Sequence, residues 1–93
     1  MRASQILGDQ LESVILYGSR ARGEAQPDSD VDILIVMRED LNYGDLIRRT
    51  SALVSALSLE YDLVISRAFV SKEQFEHENS PFLLNVRREG VLV

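Results

Sequence analysis

The chain of 93 residues has no cysteine and no tryptophan, a single histidine and only two prolines. Without cysteine there can be no disulfide and no thiolate metal site. One histidine, His77, cannot build a histidine-rich metal centre, so a metal would have to sit on carboxylate oxygens. That chemistry suits Mg²⁺ or Mn²⁺. Positive charge is also scarce. Ten Lys and Arg stand against fifteen Asp and Glu, a formal charge of −5. A generic nucleic-acid binder needs a basic face, so stable DNA or RNA binding is not expected. No apolar run approaches the ~20 residues that cross a bilayer. Residues 1–7 hold one Arg and no long apolar stretch, unlike a secretory signal. The expectation is a soluble cytoplasmic protein with no membrane association. Repeats, low-complexity segments and linkers are missing too.

What is present fits one small domain over residues 1–93. Apolar residues make up 45% of the chain, enough for a core. A core this small stabilises a domain only marginally, so a partner or a second copy would help, as a homo- or hetero-oligomer. Residues 3–10 suggest a short helix burying Ile6, Leu7 and Leu11, weakened by Gly8. Ser13–Tyr17 reads as a β-branched first strand closed by Gly18. A helical turn should follow over residues 19–23, then a loop at Pro27 and Asp28. Val31–Met37 reads as the second strand. From Tyr43 to Leu59, apolar residues at 46, 47, 53, 54 and 57 give helical spacing. Glu60–Ser66 reads as a third strand. Ser71 with Gln74 three residues on marks a helix start, and Ser80-Pro81 marks another. Phe82, Leu83 and Val86 give that last helix an apolar face, ended by Gly90. The predicted class is α/β, a small mixed sheet of three or four strands covered by helices. Sheet order stays open, although the short first connection favours an antiparallel pair.

Chemistry concentrates between Gly18 and Asp32. Asp30 and Asp32 open an otherwise apolar strand, where aspartate is disfavoured. Their even spacing puts both carboxylates on one face, where they repel unless a cation lies between them. A lone pair of this kind is weak, since a solvated strand edge would look the same. The Gly18-Ser19 turn ten residues upstream changes the weighing. Its backbone N–H groups and hydroxyl can hold phosphate, although a strand end and a helix cap would use the same residues. Carboxylates for a metal beside a phosphate cradle suit metal-assisted phosphoryl or nucleotidyl transfer. Asp62, early in the expected third strand, could bring a third acid to the same place. Glu60 shares its face and competes for the role. Asp28 has the parity of Asp30 but reads as a solvated turn residue. Arg20 and Arg22 flank the turn, and Arg22 is the better candidate to neutralise a triphosphate. Arg87 and Arg88 read as surface residues favoured by the helix dipole. His77 reads as exposed and uninvolved, Tyr17 as core.

The run Tyr17-Gly18-Ser19-Arg20-Ala21-Arg22-Gly23, followed by Ser29-Asp30-Val31-Asp32-Ile33, resembles the defining motif of the DNA polymerase beta-like nucleotidyltransferases. Within them it looks like the minimal nucleotidyltransferase branch. Residues 60–66 resemble that branch's third acidic strand, and residues 80–91 its C-terminal helix. The resemblance implies the nucleotidyltransferase fold and favours Asp62 over Glu60. Asp30 and Asp32 would then ligate two Mg²⁺ ions. Asp62 would share one and help deprotonate the acceptor hydroxyl. Gly18 and Ser19 would hold the β- and γ-phosphates of ATP. The implied reaction moves a nucleoside monophosphate from NTP to a hydroxyl and releases pyrophosphate. Members acting on DNA, RNA or antibiotics carry an extra acceptor-binding domain, and this chain has no room for one. Minimal members resemble the antitoxin of a pair whose toxin is a HEPN-domain ribonuclease, and adenylylate a toxin tyrosine. The leading expectation is therefore a protein adenylyltransferase antitoxin. The alternatives are an antitoxin that neutralises by binding alone, and the catalytic subunit of a two-subunit small-molecule transferase.

Overall fold

The computed structural model describes residues 6–18, 23, 30–39 and 42–93. A four-stranded sheet forms from β1 (Leu11–Tyr17), β2 (Val31–Met37), β3 (Ile65–Ser71) and β4 (Val91–Leu92), in the order β3-β2-β1-β4. The first two strands pair antiparallel, β3 lies parallel to β2, and the short β4 closes antiparallel on β1. The sheet is therefore mixed, as expected. Helix α1 (Tyr43–Tyr61) links β2 to β3, and α2 (Lys72–His77) and α3 (Pro81–Glu89) lie between β3 and β4.

Side chains alternate along β2 and feed two cores. Ile35 and Met37 pack with Leu7, Val14, Phe69 and Leu46 under α1. Leu34 and Val36 pack on the opposite face with Ile15, Leu83 and Val86 under α3. A central strand covered on both sides needs apolar residues at nearly every position, which explains the unbroken run Ile33–Met37. At the far end of that second core, Gly90 permits close approach. A Cβ there would lie 2.5 Å from a methyl of Ile15, so no larger residue lets α3 turn into β4.

Local signals set the helix starts. Asn42 caps α1 by accepting from the Asp45 N–H at 3.0 Å. Ser71 and Gln74 complete the anticipated capping box of α2, and Ser80 with Pro81 opens α3. Arg87 is more than a dipole-favoured surface residue. Half-buried, it donates to the Phe75 and Glu78 carbonyls and to Asn79, binding α3 to the end of α2.

Three boundaries differ from expectation. The N-terminal helical segment gives way to a 3₁₀ turn at Gly8–Gln10, so Leu11 opens β1 rather than closing a helix; residues 3–5 lie outside the described residues. Helix α1 runs on through Tyr61, and Asp62 caps it. The third strand is Ile65–Ser71 and not Glu60–Ser66. The apolar run Leu63-Val64-Ile65 looks like strand interior, but Leu63 still bonds back to the Ser58 carbonyl at 3.0 Å. The true strand is held to α1 by Arg67. Its guanidinium donates to the hydroxyls of Thr50 and Ser51 and to the Ile47 carbonyl. Thr50, buried in the apolar stripe of α1, is satisfied by that bond and by its own bond to the Leu46 carbonyl at 2.8 Å.

Candidate active site

One end of the sheet carries Gly18, Asp30 and Asp32. There β1 stops at Tyr17 while β2 and β3 begin. Tyr17 is paired with Asp32, and Asp32 with Ser66 of β3. Neighbouring strands are ~4.8 Å apart, so Ser66, Asp32 and Tyr17 form one row across the sheet. Asp30, exposed, lies just before β2 on the parity of Asp32. Asp32 shares the face of Leu34 and Val36, the α3 side.

Gly18 ends β1 with φ at +78°, a conformation that glycine adopts without strain. A Cβ at this position would lie 2.5 Å from the Asp32 Oδ2. The missing side chain is thus what lets the Asp32 carboxylate lie against the backbone corner. The local sequence requires both halves of this arrangement: a glycine for the turn, and an aspartate where a strand residue would ordinarily be apolar. Gly18 is half-buried, and the corner opens on a cavity of about 230 Å³ bounded by Tyr17, Phe82, Asn85 and Val86. The Tyr17 ring meets the Phe82 ring edge-on at 5.3 Å. Burial, followed by the nearby Asp32 charge, raises the Tyr17 hydroxyl above its ordinary pKa. A larger hollow of about 510 Å³ lies at the opposite end of the sheet, around Asp45 and Arg49, and none of these acids reaches it.

Asp62 is placed differently from expectation. It is not on β3 but at the C-terminal cap of α1, exposed, with φ 53° and ψ 50°. Its N–H and that of Leu63 both bond to the Ser58 carbonyl, the usual way to close a helix in a left-handed residue. Such positions favour glycine or asparagine, so an aspartate here accepts a cost of about 1 kcal/mol. Among the described residues, no group of three or more acids or histidines is arranged to hold a metal ion. The structure thus sets Asp30 and Asp32 at the start of β2, one just before it and one in it, and Asp62 at the end of α1. One link ties the two places: the Val31 N–H, between the paired acids, donates to the Val64 carbonyl at 2.8 Å. Glu60, the competing acid, lies in the last turn of α1 and is exposed. Ser19, Arg20, Arg22 and Asp28 lie outside the described residues.

Sequence reasoning overlooked Ser66. Exposed and in register with Asp32, it is the β3 side chain that shares the acid's row. The alternation Ser66, Ala68, Val70 against Arg67, Phe69, Ser71 carried the signal, but the charged Arg67 on an inward face disguised it. His77 is exposed at the end of α2, as anticipated.

The donor set suits a hard divalent cation. It consists of carboxylate oxygens on adjacent same-face positions, with the backbone corner of Gly18 against one of them.

Comparison with known proteins bears on the family. Two Methanocaldococcus jannaschii proteins are similar, both carrying the name "Putative protein adenylyltransferase". The first is 41% identical over 74% of this chain and 69% of its own length. The second is 38% identical over 87% of this chain and 76% of its own length. A crystal structure of a toxin–antitoxin with AMP-PNP superposes with a TM-score of 0.65. At 18% identity, covering 98% of this chain and 68% of that one, it shows a shared fold. Residues 2–88 match the model of the nucleotidyltransferase domain, and the chain belongs to that family.

Proposed function

We propose that this protein transfers AMP from ATP to a hydroxyl of a partner protein and acts as the antitoxin of a HEPN ribonuclease toxin, with a toxin tyrosine as acceptor. The observation that carries the reading is the close approach of Gly18 to Asp32, which sets a left-handed backbone turn against a carboxylate. The chain's likeness to two proteins that carry the name "Putative protein adenylyltransferase" supports a protein acceptor, and the fold shared with a toxin–antitoxin structure supports the partner.

Asp30 and Asp32 would hold Mg²⁺, two ions in this reading, with Mn²⁺ able to substitute. The metal supplies charge neutralisation on the phosphates and makes the acceptor hydroxyl more acidic. The chain's own groups do the positioning. Gly18, with Ser19, anchors the β- and γ-phosphates, and Arg22 neutralises part of their charge. The acceptor oxygen forms its bond to the α-phosphorus as the bond from that phosphorus to pyrophosphate breaks. The hydroxyl proton passes to a carboxylate, for which Asp62 is the proposed base, and then to water. Holding the reactants in line is the larger share of the effect, since little covalent chemistry falls to the protein.

The test mixes this protein with its cognate HEPN protein, ATP and Mg²⁺ and weighs the toxin. The expected result is a gain of one or more AMP groups on tyrosine together with loss of ribonuclease activity. Loss of ribonuclease activity without added mass would leave neutralisation by binding alone.

A further inference from the structure

A triphosphate held at the Gly18 corner leaves the rest of the nucleotide in need of a place within reach. The cavity of about 230 Å³ borders Gly18 itself, on the α3 side of the sheet that Asp32 shares. One wall is a single stripe of α3. Phe82, Asn85, Val86 and Glu89 follow the i, i+3, i+4, i+7 spacing that sets side chains on one helix face. Tyr17 of β1 forms another wall.

The lining sorts the two ends of a nucleotide. Among the described residues it holds no lysine or arginine, and the Glu89 carboxylate repels phosphate. Aromatic and aliphatic walls take an uncharged ring instead. Tyr17 and Phe82 meet edge-on at 5.3 Å, which leaves ring faces uncovered, and Phe82 is 41% exposed. Any base can stack on such a face, so stacking alone does not select one. Selection falls to Asn85. The Arg88 guanidinium donates to Asn85 Oδ1 at 3.0 Å, which fixes which way the amide points. Oδ1 keeps a second lone pair, and the amide nitrogen keeps its two donors. An acceptor and a donor side by side match the N6 amino group and N7 of adenine. Guanine presents two acceptors on that edge, O6 and N7, and sets O6 against Oδ1.

We propose, resting on the nucleotidyl-transfer reading above, that this cavity is the nucleobase site, with Phe82 as the stacking face and Asn85 as the residue that selects adenine over guanine. A nucleotide anchored at the corner turns its base into the cavity, because Gly18 borders both.

The experiment measures affinity by calorimetry, with Mg²⁺, for AMP-PNP, GMP-PNP and inorganic tripolyphosphate. The parent should bind AMP-PNP about tenfold more tightly than GMP-PNP, the discrimination of one bidentate pair. Asn85→Ala should erase that preference by weakening AMP-PNP alone. Phe82→Leu keeps apolar bulk, removes the ring face, and should weaken both analogues about tenfold. Tripolyphosphate affinity should be the same in parent and variants. Asn85 is exposed on α3 and alanine favours a helix, so the melting temperature of Asn85→Ala should not fall. Equal affinity of the parent for both analogues, or the parental preference in Asn85→Ala, overturns the proposal. So does an Asn85→Ala variant that loses tripolyphosphate as much as AMP-PNP, which is the mark of a structural role. Tripolyphosphate bound by the parent as tightly as AMP-PNP overturns the base site and leaves the phosphate corner standing. AMP-PNP binding that depends on Phe82 and Asn85, with no binding of tripolyphosphate, supports the base site and removes the phosphate corner instead.

Discussion

Asp30, just before strand β2, is open to solvent and Asp32, its second residue, is half-open; two residues later Leu34 through Met37 are exposed by no more than 3%. The same strand thus serves two purposes within a few residues. Its last four side chains hold the layers together, Leu34 and Val36 toward α3 and Ile35 and Met37 toward α1. The two acids belong to neither core, yet Asp32 lies against the backbone corner at Gly18. A rigid buried segment directly behind two carboxylates fixes their position, while the carboxylates themselves contribute charge repulsion rather than packing. Stability and chemistry are separated by distance along one strand, and substitutions at its two ends should separate them in measurement.

The largest effect is expected at the acidic end. Asp32→Asn keeps size and hydrogen bonding but removes the charge, and should reduce AMP transfer by at least a hundredfold. Metal-free thermal stability should be unchanged or slightly higher, because a like-charge pair has been relieved. Transfer assays beside a thermal melt check both parts, and a clear drop in melting temperature would contradict the division of labour. At the other end, Leu34→Ala should destabilise by about 2–5 kcal/mol through lost burial and a residual cavity. Denaturant unfolding measures it. Activity per folded molecule should change far less than in Asp32→Asn.

The same contrast explains what the sequence makes legible. Features with a local cause can be read directly. Ser71 with Gln74, Ser80 with Pro81, and the apolar run after Asp32 each follow from a few adjacent residues. Gly18 and the paired acids are legible because their chemistry departs from ordinary strand composition. The end of α1 is not. Asp62 closes the helix where glycine or asparagine is the usual sign, and the apolar Leu63-Val64-Ile65 that follows imitates a strand. The start of β3 is hidden for a second reason. Arg67 points inward, against the rule for a charged residue, and its partners Ile47, Thr50 and Ser51 come from a helix far away in sequence. Only the folded register shows that Ser66, and not Asp62, is the residue of β3 beside Asp32.

Two backbone positions sharpen the comparison with intermediate effects. Gly18→Ala places a methyl into the space of the Asp32 carboxylate and forces a non-glycine residue to φ near +78°. The carboxylate can swing aside, so stability should fall by only about 1 kcal/mol. Transfer should fall at least tenfold, because the displaced group is the one that must stay in place. Asp62→Gly should do the reverse to stability. It relieves the left-handed cap and raises the unfolding free energy by about 0.5–1 kcal/mol. If Asp62 serves only as a helix end, kcat will be untouched. As the proposed base it lowers kcat, and restoration by Asp62→Glu would separate its charge from its backbone role.

The smallest effect concerns pH and Tyr17, which shares the row of Asp32 but lies partly in the core. Burial and the Asp32 charge raise its pKa above the ordinary value of 10.0, so the folded state holds the phenol proton more firmly than the unfolded chain does. The stability tied to that proton is complete below the unfolded pKa and is lost as pH rises through the folded one. Unfolding free energy should therefore decline above about pH 10, the unfolded tyrosine value. Tyr17→Phe keeps the edge-on contact with Phe82 and deletes the titrating group. Denaturant titrations at several alkaline pH values should show a shallower decline for Tyr17→Phe than for the parent. Identical slopes would mean that the hydroxyl does not feel the acidic end of the sheet, and that the chemical influence of Asp32 stops short of its neighbour on β1.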